Sequence, residues 1–137
     1  MDVNQVFESI RNDLLQVDSK IGSFGIYKND NTVSLAIALY GEYCHAEIDF
    51  MSRYLEKEAV YLDVGTNIGY HLRGMFQQAK CNCIGFEPHP KHFAVAAYNC
   101  QELPIKIFNA AIGEKADETI ELIDFDSSTS GNFGTTK

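Results

Sequence analysis

Residues 60–69, with the sequence VYLDVGTNIG, decide the fold of this chain. Val60-Tyr61-Leu62 is a short apolar run that predicts a strand, and a turn with two glycines follows it. Ile68 to Ala79 has the apolar spacing of a helix. The stretch therefore predicts a strand that enters a glycine-containing turn and continues as a helix.

The same alternation continues downstream. Cys83 to Phe86 predicts a second strand, Lys91 to Glu102 a second helix and Ile105 to Phe108 a third strand. Strands that alternate with helices indicate an α/β fold with a parallel, doubly wound sheet. Glu118 to Phe125 predicts a fourth strand, which could run parallel or antiparallel to the others. Residues 126–137 lack a period and predict a polar loop or frayed tail.

The residues before this unit predict a helix and a hairpin. Asn4 to Val17 has apolar residues at helical spacing. Phe24 to Lys28 and Thr32 to Tyr40 predict two strands, joined by a polar turn at Asn29-Asp30-Asn31. A lead-in helix is expected from Glu42 to Leu55. We therefore divide the chain into an N-terminal part (1–58), a core (59–125) and a polar tail (126–137).

Composition narrows the classes of partner. The chain has 137 residues, enough for one domain, with a net charge of −8 and a pI near 4.8. Such an acidic chain repels phosphate backbones, and its basic residues are scattered, so a small-molecule substrate fits better than nucleic acid. No signal peptide and no apolar run long enough to span a bilayer is visible, which makes a cytoplasmic protein the expectation.

A candidate ligand site lies where the strands end. Ligands of doubly wound sheets bind beyond the carboxyl ends of the strands, where Asp63 and Glu87 stand. Gly65 permits a tight turn and close backbone approach, and Gly69 is expected to let the helix pack close to the strand. Glu87 follows Asp63 by 24 positions, near the roughly 20-residue offset of an acid that binds ribose hydroxyls.

The charge at this turn indicates which nucleotide fits. Gly65 and Gly69 alone do not make a G-x-G-x-x-G pattern, and Asp63 would oppose the pyrophosphate of a dinucleotide. S-adenosylmethionine carries a sulfonium and an ammonium group, which a carboxylate favours. A nicotinamide-dependent oxidoreductase is the disfavoured alternative. Asp63 as an ordinary helix-capping or loop acid also stays open.

Several short motifs resemble one family. Residues 63–71, DVGTNIGYH, are similar to the D-[VI]-G-A-N-I-G-Y-H stretch of FkbM-type methyltransferases, with Thr66 in place of alanine. Residues 86–88, FEP, and 109–113, NAAIG, resemble two further motifs of that family. Residues 41–47 resemble its G-E-x-x-x-x-E segment, and 132–134, NFG, resemble a late N-F-G of some bacterial members. The resemblance spans residues 41 to 134.

This resemblance implies a Rossmann-like class I methyltransferase sheet, S-adenosylmethionine as cofactor and methyl transfer to a hydroxyl of a sugar or another small molecule. It implies that Asp63, Gly65 and Asn67 contact the methionine portion. Glu87 then holds the ribose, and Asn109 with Ala110 lies near the adenine. The cofactor-binding set implied by the motifs is Asp63, Gly65, Thr66, Asn67, Gly69, Glu87, Pro88, Asn109 and Ala110.

The chain departs from the family pattern after the third strand. Members continue into a strand that ends in a D-V-E-G-like motif, which no stretch here matches. The expectation is therefore a truncated sheet that leaves the edge of Val60-Tyr61-Leu62 open to self-association or a partner. A non-catalytic cofactor-binding unit that needs a partner is the alternative to an enzyme, and the 137-residue monomer is expected to transfer methyl groups poorly.

The histidines and cysteines of the chain give weaker indications of function. His71 is the candidate base for the acceptor, against the alternative of a surface helix residue. His89 and His92 share a helix face, and we interpret them as a solvated helix start. Cys81 and Cys83 form a C-x-C pair without a second pair at zinc spacing, so no metal site is expected.

Overall fold

A computed structural model describes residues 2–116 and 119–134 of the chain. Its helices and strands, in chain order, are α1 (Val3–Ile10), β1 (Leu14–Ser19), β2 (Gly22–Tyr27), α2 (Val33–Tyr40), α3 (His45–Ser52), β3 (Val60–Val64), α4 (Tyr70–Ala79), β4 (Asn82–Phe86), α5 (Pro90–Cys100) and β5 (Lys106–Phe108). A 3-10 turn over Arg11–Asp13 joins α1 to β1. Within the described residues, no helix is both long and apolar enough to cross a membrane.

Strands β3, β4 and β5 form a parallel sheet in that order. Asp63 is in register with Gly85, so the last residues of β3 and β4 end at the same edge of the sheet. A Cβ at Gly85 would lie 2.6 Å from Leu72 Cδ2, so only glycine lets α4 pack this closely. The predicted α/β class and the strand–helix–strand–helix–strand order are confirmed.

The face of this sheet that points away from α4 is exposed. Val60, Leu62 and Val64 are each more than half exposed, and Phe108 of β5 is nearly so. Within the part of the chain that the structure describes, β3 pairs only with β4. The apolar strand thus has both an uncovered face and an unpaired edge, which is the arrangement that invites pairing with another chain.

The first helix is shorter than predicted. It ends at Ile10, and Leu14–Ser19 forms an antiparallel hairpin with Gly22–Tyr27 rather than a continuation of the helix. The reason lies in β2, whose residues 24–27 are all buried. Buried backbone N–H and C=O groups need partners, and β1 supplies them. The hairpin is therefore present, but one strand earlier than expected.

The predicted strand over Thr32 to Tyr40 is wrong, because Val33–Tyr40 is the helix α2. Its Ser-Leu-Ala-Ile-Ala-Leu run is rich in strong helix formers. Asp30, expected in a hairpin turn, instead accepts hydrogen bonds from the N–H groups of Thr32 (3.2 Å) and Ser34 (2.7 Å) where the helix begins. Gly41 ends the helix with φ +71°, a conformation that glycine adopts without strain.

The predicted fourth strand is also wrong. Glu118 lies outside the described residues, and residues 119–125 have no strand. The polar tail is irregular up to Gly134, but it is not frayed there. The segment 122–134, which we call the strap, returns across the N-terminal part: Gly131 forms a bridge with Asp30, and Phe133 is buried. Thr135 to Lys137 lie outside the described residues.

Candidate functional site

The turn after β3 is built from left-handed backbone. Gly65 (φ +83°), Asn67 (φ +51°) and Gly69 (φ +89°) all have positive φ, which glycine and asparagine tolerate best. The N–H groups of Gly65 and Thr66 both donate to the carbonyl of Phe86, at 2.8 and 3.0 Å. These bonds fix the turn against the end of β4, directly beside Glu87.

Glu87 supports the same turn with its side chain. Its Oε2 accepts a hydrogen bond from the N–H of Asn67 (2.8 Å), and its Oε1 accepts one from the N–H of His89 (2.9 Å). The residue is only 6% exposed. Burial raises the pKa of this carboxyl, while the two N–H donors lower it and the nearby charge of Asp63 raises it further.

Asp63 holds the turn from the β3 side. Its Oδ2 accepts a hydrogen bond from the Thr66 hydroxyl at 2.6 Å. Burial raises the pKa of this carboxyl, while the Thr66 bond and the field of His71 lower it. Asp63 and Glu87 thus bond to neighbouring residues of one turn, Thr66 and Asn67, and the charge of Asp63 helps to raise the pKa of Glu87. This is the juxtaposition that the sequence predicts.

The backbone N–H groups of residues 65–68 in the turn all have hydrogen-bond acceptors within the chain. The N–H groups of residues 65 and 66 bond to the Phe86 carbonyl, and that of Asn67 bonds to Glu87. The N–H of Ile68 bonds to the Asn67 side chain at 2.8 Å. Pyrophosphate sites depend on free N–H groups at such a turn. The arrangement is therefore unfavourable for a dinucleotide phosphate and leaves a carboxylate-lined surface.

Gly69 serves a different packing contact from the one expected. A Cβ at this position would lie 3.3 Å from Ala96 Cα and 3.4 Å from Cys100 Sγ. Both residues belong to α5, so Gly69 brings the start of α4 against that helix rather than against a strand. The expected packing of the helix against the strand is therefore wrong at this position, where the left-handed φ of +89° and the contact with α5 favour glycine.

Two cavities flank the turn. One of about 360 Å³ is bordered by Asp63, Gly65, Asn67 and His71, and also by Thr66. The other, of about 220 Å³, is bordered by Gly65, Asn67 and Glu87. The first lies within the range of about 300–1,000 Å³ typical of small-molecule sites, and the second falls below it. The two share the turn itself as a wall.

A third depression continues the row beyond β5. It measures about 570 Å³ and is bordered by Pro88, Asn109 and Ala110. Pro88 and Leu122 line both this depression and the Glu87 cavity. The Asn109 side-chain amide donates to the carbonyls of Glu87 and Pro88, each at 2.9 Å. The structure thus brings all predicted cofactor-binding residues except Gly69 to this row.

His71 is in the first turn of α4 and lines the 360 Å³ cavity. Its ring lies 6.1 Å from that of Tyr43, centroid to centroid. Its Nε2 is buried and has no hydrogen-bond partner among the described residues. The position is half-buried at the cavity wall rather than on an open helix surface, so its candidate role as a base stays a prediction.

His89 and His92 do not form the solvated helix start that we expected. Each is 5% exposed, and their rings lie 5.4 Å apart. His92 Nε2 donates to the Phe133 carbonyl at 2.8 Å, and burial lowers the pKa of His92 to about 4. The strap covers this helix start. Such cover depends on contacts distant in sequence, which a local pattern cannot show.

Sequence reasoning also missed residues that line the 360 Å³ cavity from the N-terminal part and from the strap. They are Thr32, Val33, Tyr43, Asn132 and Gly134. The motif 132–134 resembles a family motif, but its sequence does not indicate that it lies beside the turn at residues 65–69. Cys81 and Cys83 lie away from this site, buried, with their sulfurs 3.8 Å apart; burial raises the pKa of the Cys83 thiol to about 12.

Neither a comparison with protein-family models nor a search of curated proteins finds a match to this chain.

Proposed function

We propose that this chain binds S-adenosylmethionine and serves methyl transfer, as the cofactor-binding part of an FkbM-type methyltransferase with a Rossmann-like class I sheet. One observation carries the proposal. Asp63 and Glu87 meet at a turn whose N–H groups at residues 65–68 are all bonded within the chain. A site with two carboxylates and no free backbone donors favours a cationic nucleoside over an anionic dinucleotide.

The acceptor positions of the Glu87 carboxylate fit the hydroxyl donors of the ribose of such a ligand. An ionised carboxylate has about four acceptor positions, and Glu87 uses two of them for the N–H groups of Asn67 and His89. The others are available to adjacent hydroxyls, in charge-assisted bonds. Asp63 would lie toward the ammonium group, since it borders the larger cavity on the other side of the turn.

Gly65 fits the close approach of a ligand. No atom lies within 4 Å of the position that a Cβ would take there, and its φ is +83°. A side chain would both strain the backbone and occupy space beside the two acids. The third depression, next to Asn109 and Ala110, is where the adenine would lie under this proposal.

The cofactor would supply an activated methyl group: in an in-line displacement its bond to the sulfonium sulfur would break as a bond to the acceptor oxygen formed, with S-adenosylhomocysteine as the leaving group. The chain's residues would orient the two reactants and stabilise charge. His71 is the candidate to accept the acceptor's proton, since it borders the same cavity as Asp63. We propose a hydroxyl of a sugar or another small molecule as acceptor.

The open sheet favours a second candidate. Val60, Leu62 and Val64 form an uncovered apolar face on a strand whose other edge is unpaired within the described residues. An exposed, apolar strand edge is a ready template for pairing with another segment or chain. A cofactor-binding unit that transfers methyl groups only with a partner, or after self-association through this edge, is therefore the alternative.

Calorimetric titration with S-adenosylhomocysteine and with NAD tests the proposal. We expect binding of the first and none of the second, and the reverse result would support an oxidoreductase instead. Methyl transfer measured at low and high protein concentration then separates an active monomer from a unit that needs association. Steady turnover by the dilute monomer would contradict the second candidate.

A further inference from the structure

The motif 132–134 at the end of the strap has a buried middle and exposed flanks. Phe133 is 7% exposed. Its ring stacks on Phe125 at 4.5 Å between centroids and meets Tyr27 edge-on at 5.4 Å. Its carbonyl accepts the bond from His92, and its N–H lies 3.4 Å from an Asp30 oxygen. Phe133 therefore anchors the motif to the N-terminal part and to α5.

This anchor places the residues on either side of Phe133 at the ligand site. Asn132 and Gly134 border the 360 Å³ cavity beside Asp63 and also the 220 Å³ cavity beside Glu87. A Cβ added to Gly134 would lie 3.3 Å from Asn67 Nδ2. The strap thus touches the very turn that the two acids hold.

The residues common to both cavities are Gly65 and Asn67 on one side and Asn132 and Gly134 on the other. The first pair is fixed by backbone bonds to Phe86 and Glu87. The cavity at Glu87, about 220 Å³, is smaller than the roughly 300 Å³ that small-molecule sites usually exceed. A ligand that reaches both acids must therefore extend across the junction that these residues enclose.

We propose that Asn132 and Gly134 form a third wall of the cofactor site and contact the bound ligand where the two cavities join. The inference rests on the proposed function and extends it to a segment far from the first motif in sequence. The ligand remains an adenosine derivative with a cationic tail. The wall gives it a neutral amide and bare backbone opposite the two carboxylates, and Phe133 is the positioning residue.

Gly134→Ala tests this wall, because its new methyl group would press on the Asn67 amide. S-adenosylhomocysteine should bind the variant about tenfold more weakly, the effect expected of a single overpacked contact. Thr129→Ala is the matched control. Thr129 is exposed in the same strap, and its hydroxyl donates to the Asp126 carbonyl at 3.1 Å. It should bind like the wild type.

Asn132→Ala serves as a second variant, since its exposed side chain can be removed without opening the core. Thermal unfolding of both variants checks that the fold is retained, and the Gly134 amide resonance followed during titration gives a readout independent of affinity. We expect weaker binding in both variants and a shift of that resonance in the wild type.

The outcomes separate the inference from the proposed function. Wild-type binding with unchanged affinity in Gly134→Ala and Asn132→Ala, and an unmoved Gly134 resonance, would overturn the wall alone. A wild type that does not bind S-adenosylhomocysteine at all would overturn the proposed function, and the wall with it.

Discussion

The turn at residues 65–69 and the strap at residues 122–134 border the same cavities, yet they are held in different ways. Backbone hydrogen bonds to Phe86 and the carboxylates of Asp63 and Glu87 fix the turn. Aromatic stacking and a histidine bond hold the strap at Phe133, and backbone bonds of Gly131 to Asn29 and Asn31 hold it beside the N-terminal part. The bonds of the turn join residues of neighbouring strand ends, whereas the contacts of the strap join residues that are far apart in the sequence.

This difference assigns the two regions different tasks. Under the proposed function, the turn would carry the charge that selects a cationic nucleoside, because Asp63 and Glu87 both bond to it. The strap contributes to the shape of the cavities, because its exposed residues Asn132 and Gly134 border them while Phe133 between them is buried. Truncation of the buried Phe133 should therefore reduce stability first, whereas loss of the Glu87 carboxylate or changes at the exposed flanks Asn132 and Gly134 should reduce ligand affinity first.

The largest expected effect is on the strap. Phe133→Ala should lower the free energy of unfolding by about 3–5 kcal/mol, as expected when a buried phenylalanine is truncated. Denaturant unfolding measures it. Phe50→Ala is the matched control, because Phe50 is 61% exposed and its loss should change stability by no more than about 0.5 kcal/mol. Equal losses would show that the strap is not anchored as described.

The next effect depends on pH. Burial lowers the pKa of His92 from 6.5 to about 4. Between these values the unfolded chain binds more protons than the folded one, so stability should fall as the pH drops from about 6.5 to about 4. The loss attributable to His92 is about 3 kcal/mol. His92→Phe should flatten this part of the stability profile; an unchanged slope would contradict the burial of a neutral His92.

On the turn, Glu87→Ala should weaken the binding of S-adenosylhomocysteine by about 1.5–3 kcal/mol, the range for hydrogen bonds to a charged group. The substitution also leaves the N–H groups of Asn67 and His89 without acceptors, so unfolding should be measured alongside. Glu102→Ala removes an exposed acid after α5 and is the control. An affinity that Glu87→Ala leaves unchanged would argue against the ribose assignment.

The smallest effect is expected at Gly65. Alanine there must adopt φ +83° without any clash, so only backbone strain, about 1–2 kcal/mol, should reduce stability. Gly113→Ala is the control, because the nearest atom is 4.0 Å away and its φ is not positive. If both variants unfold alike, the turn does not require the left-handed conformation.

The same contrast explains what the sequence could predict. The strand–turn–helix units from residue 60 to 108 follow from local periodicity and from glycines, and so does the meeting of Asp63 with Glu87. The helix α2 does not follow from the local pattern, because a largely apolar run fits the period of a strand or of a helix. Asp30 favours the helix by accepting hydrogen bonds from the N–H groups of Thr32 and Ser34.

The strap could not be predicted in this way. Phe133 contacts Tyr27 and stacks on Phe125. The residues between Phe125 and Phe133 have neither the period of a helix nor that of a strand. Likewise, Leu14 to Val17 satisfied a helical spacing, but the buried strand β2 required a partner. Local patterns carry no information about which distant segment will satisfy a buried backbone or fill an aromatic gap.

The central claim is that Asp63 and Glu87 together face one cationic adenosine derivative. The N–H groups of Asn67 and His89 donate to the two oxygens of Glu87, so their NMR resonances report directly on that carboxylate. Titration with S-adenosylhomocysteine should shift both resonances to saturation while the Gly25 N–H, bonded to Asn99, stays in place. Unmoved Asn67 and His89 signals, or an equal response to NAD, would contradict the account.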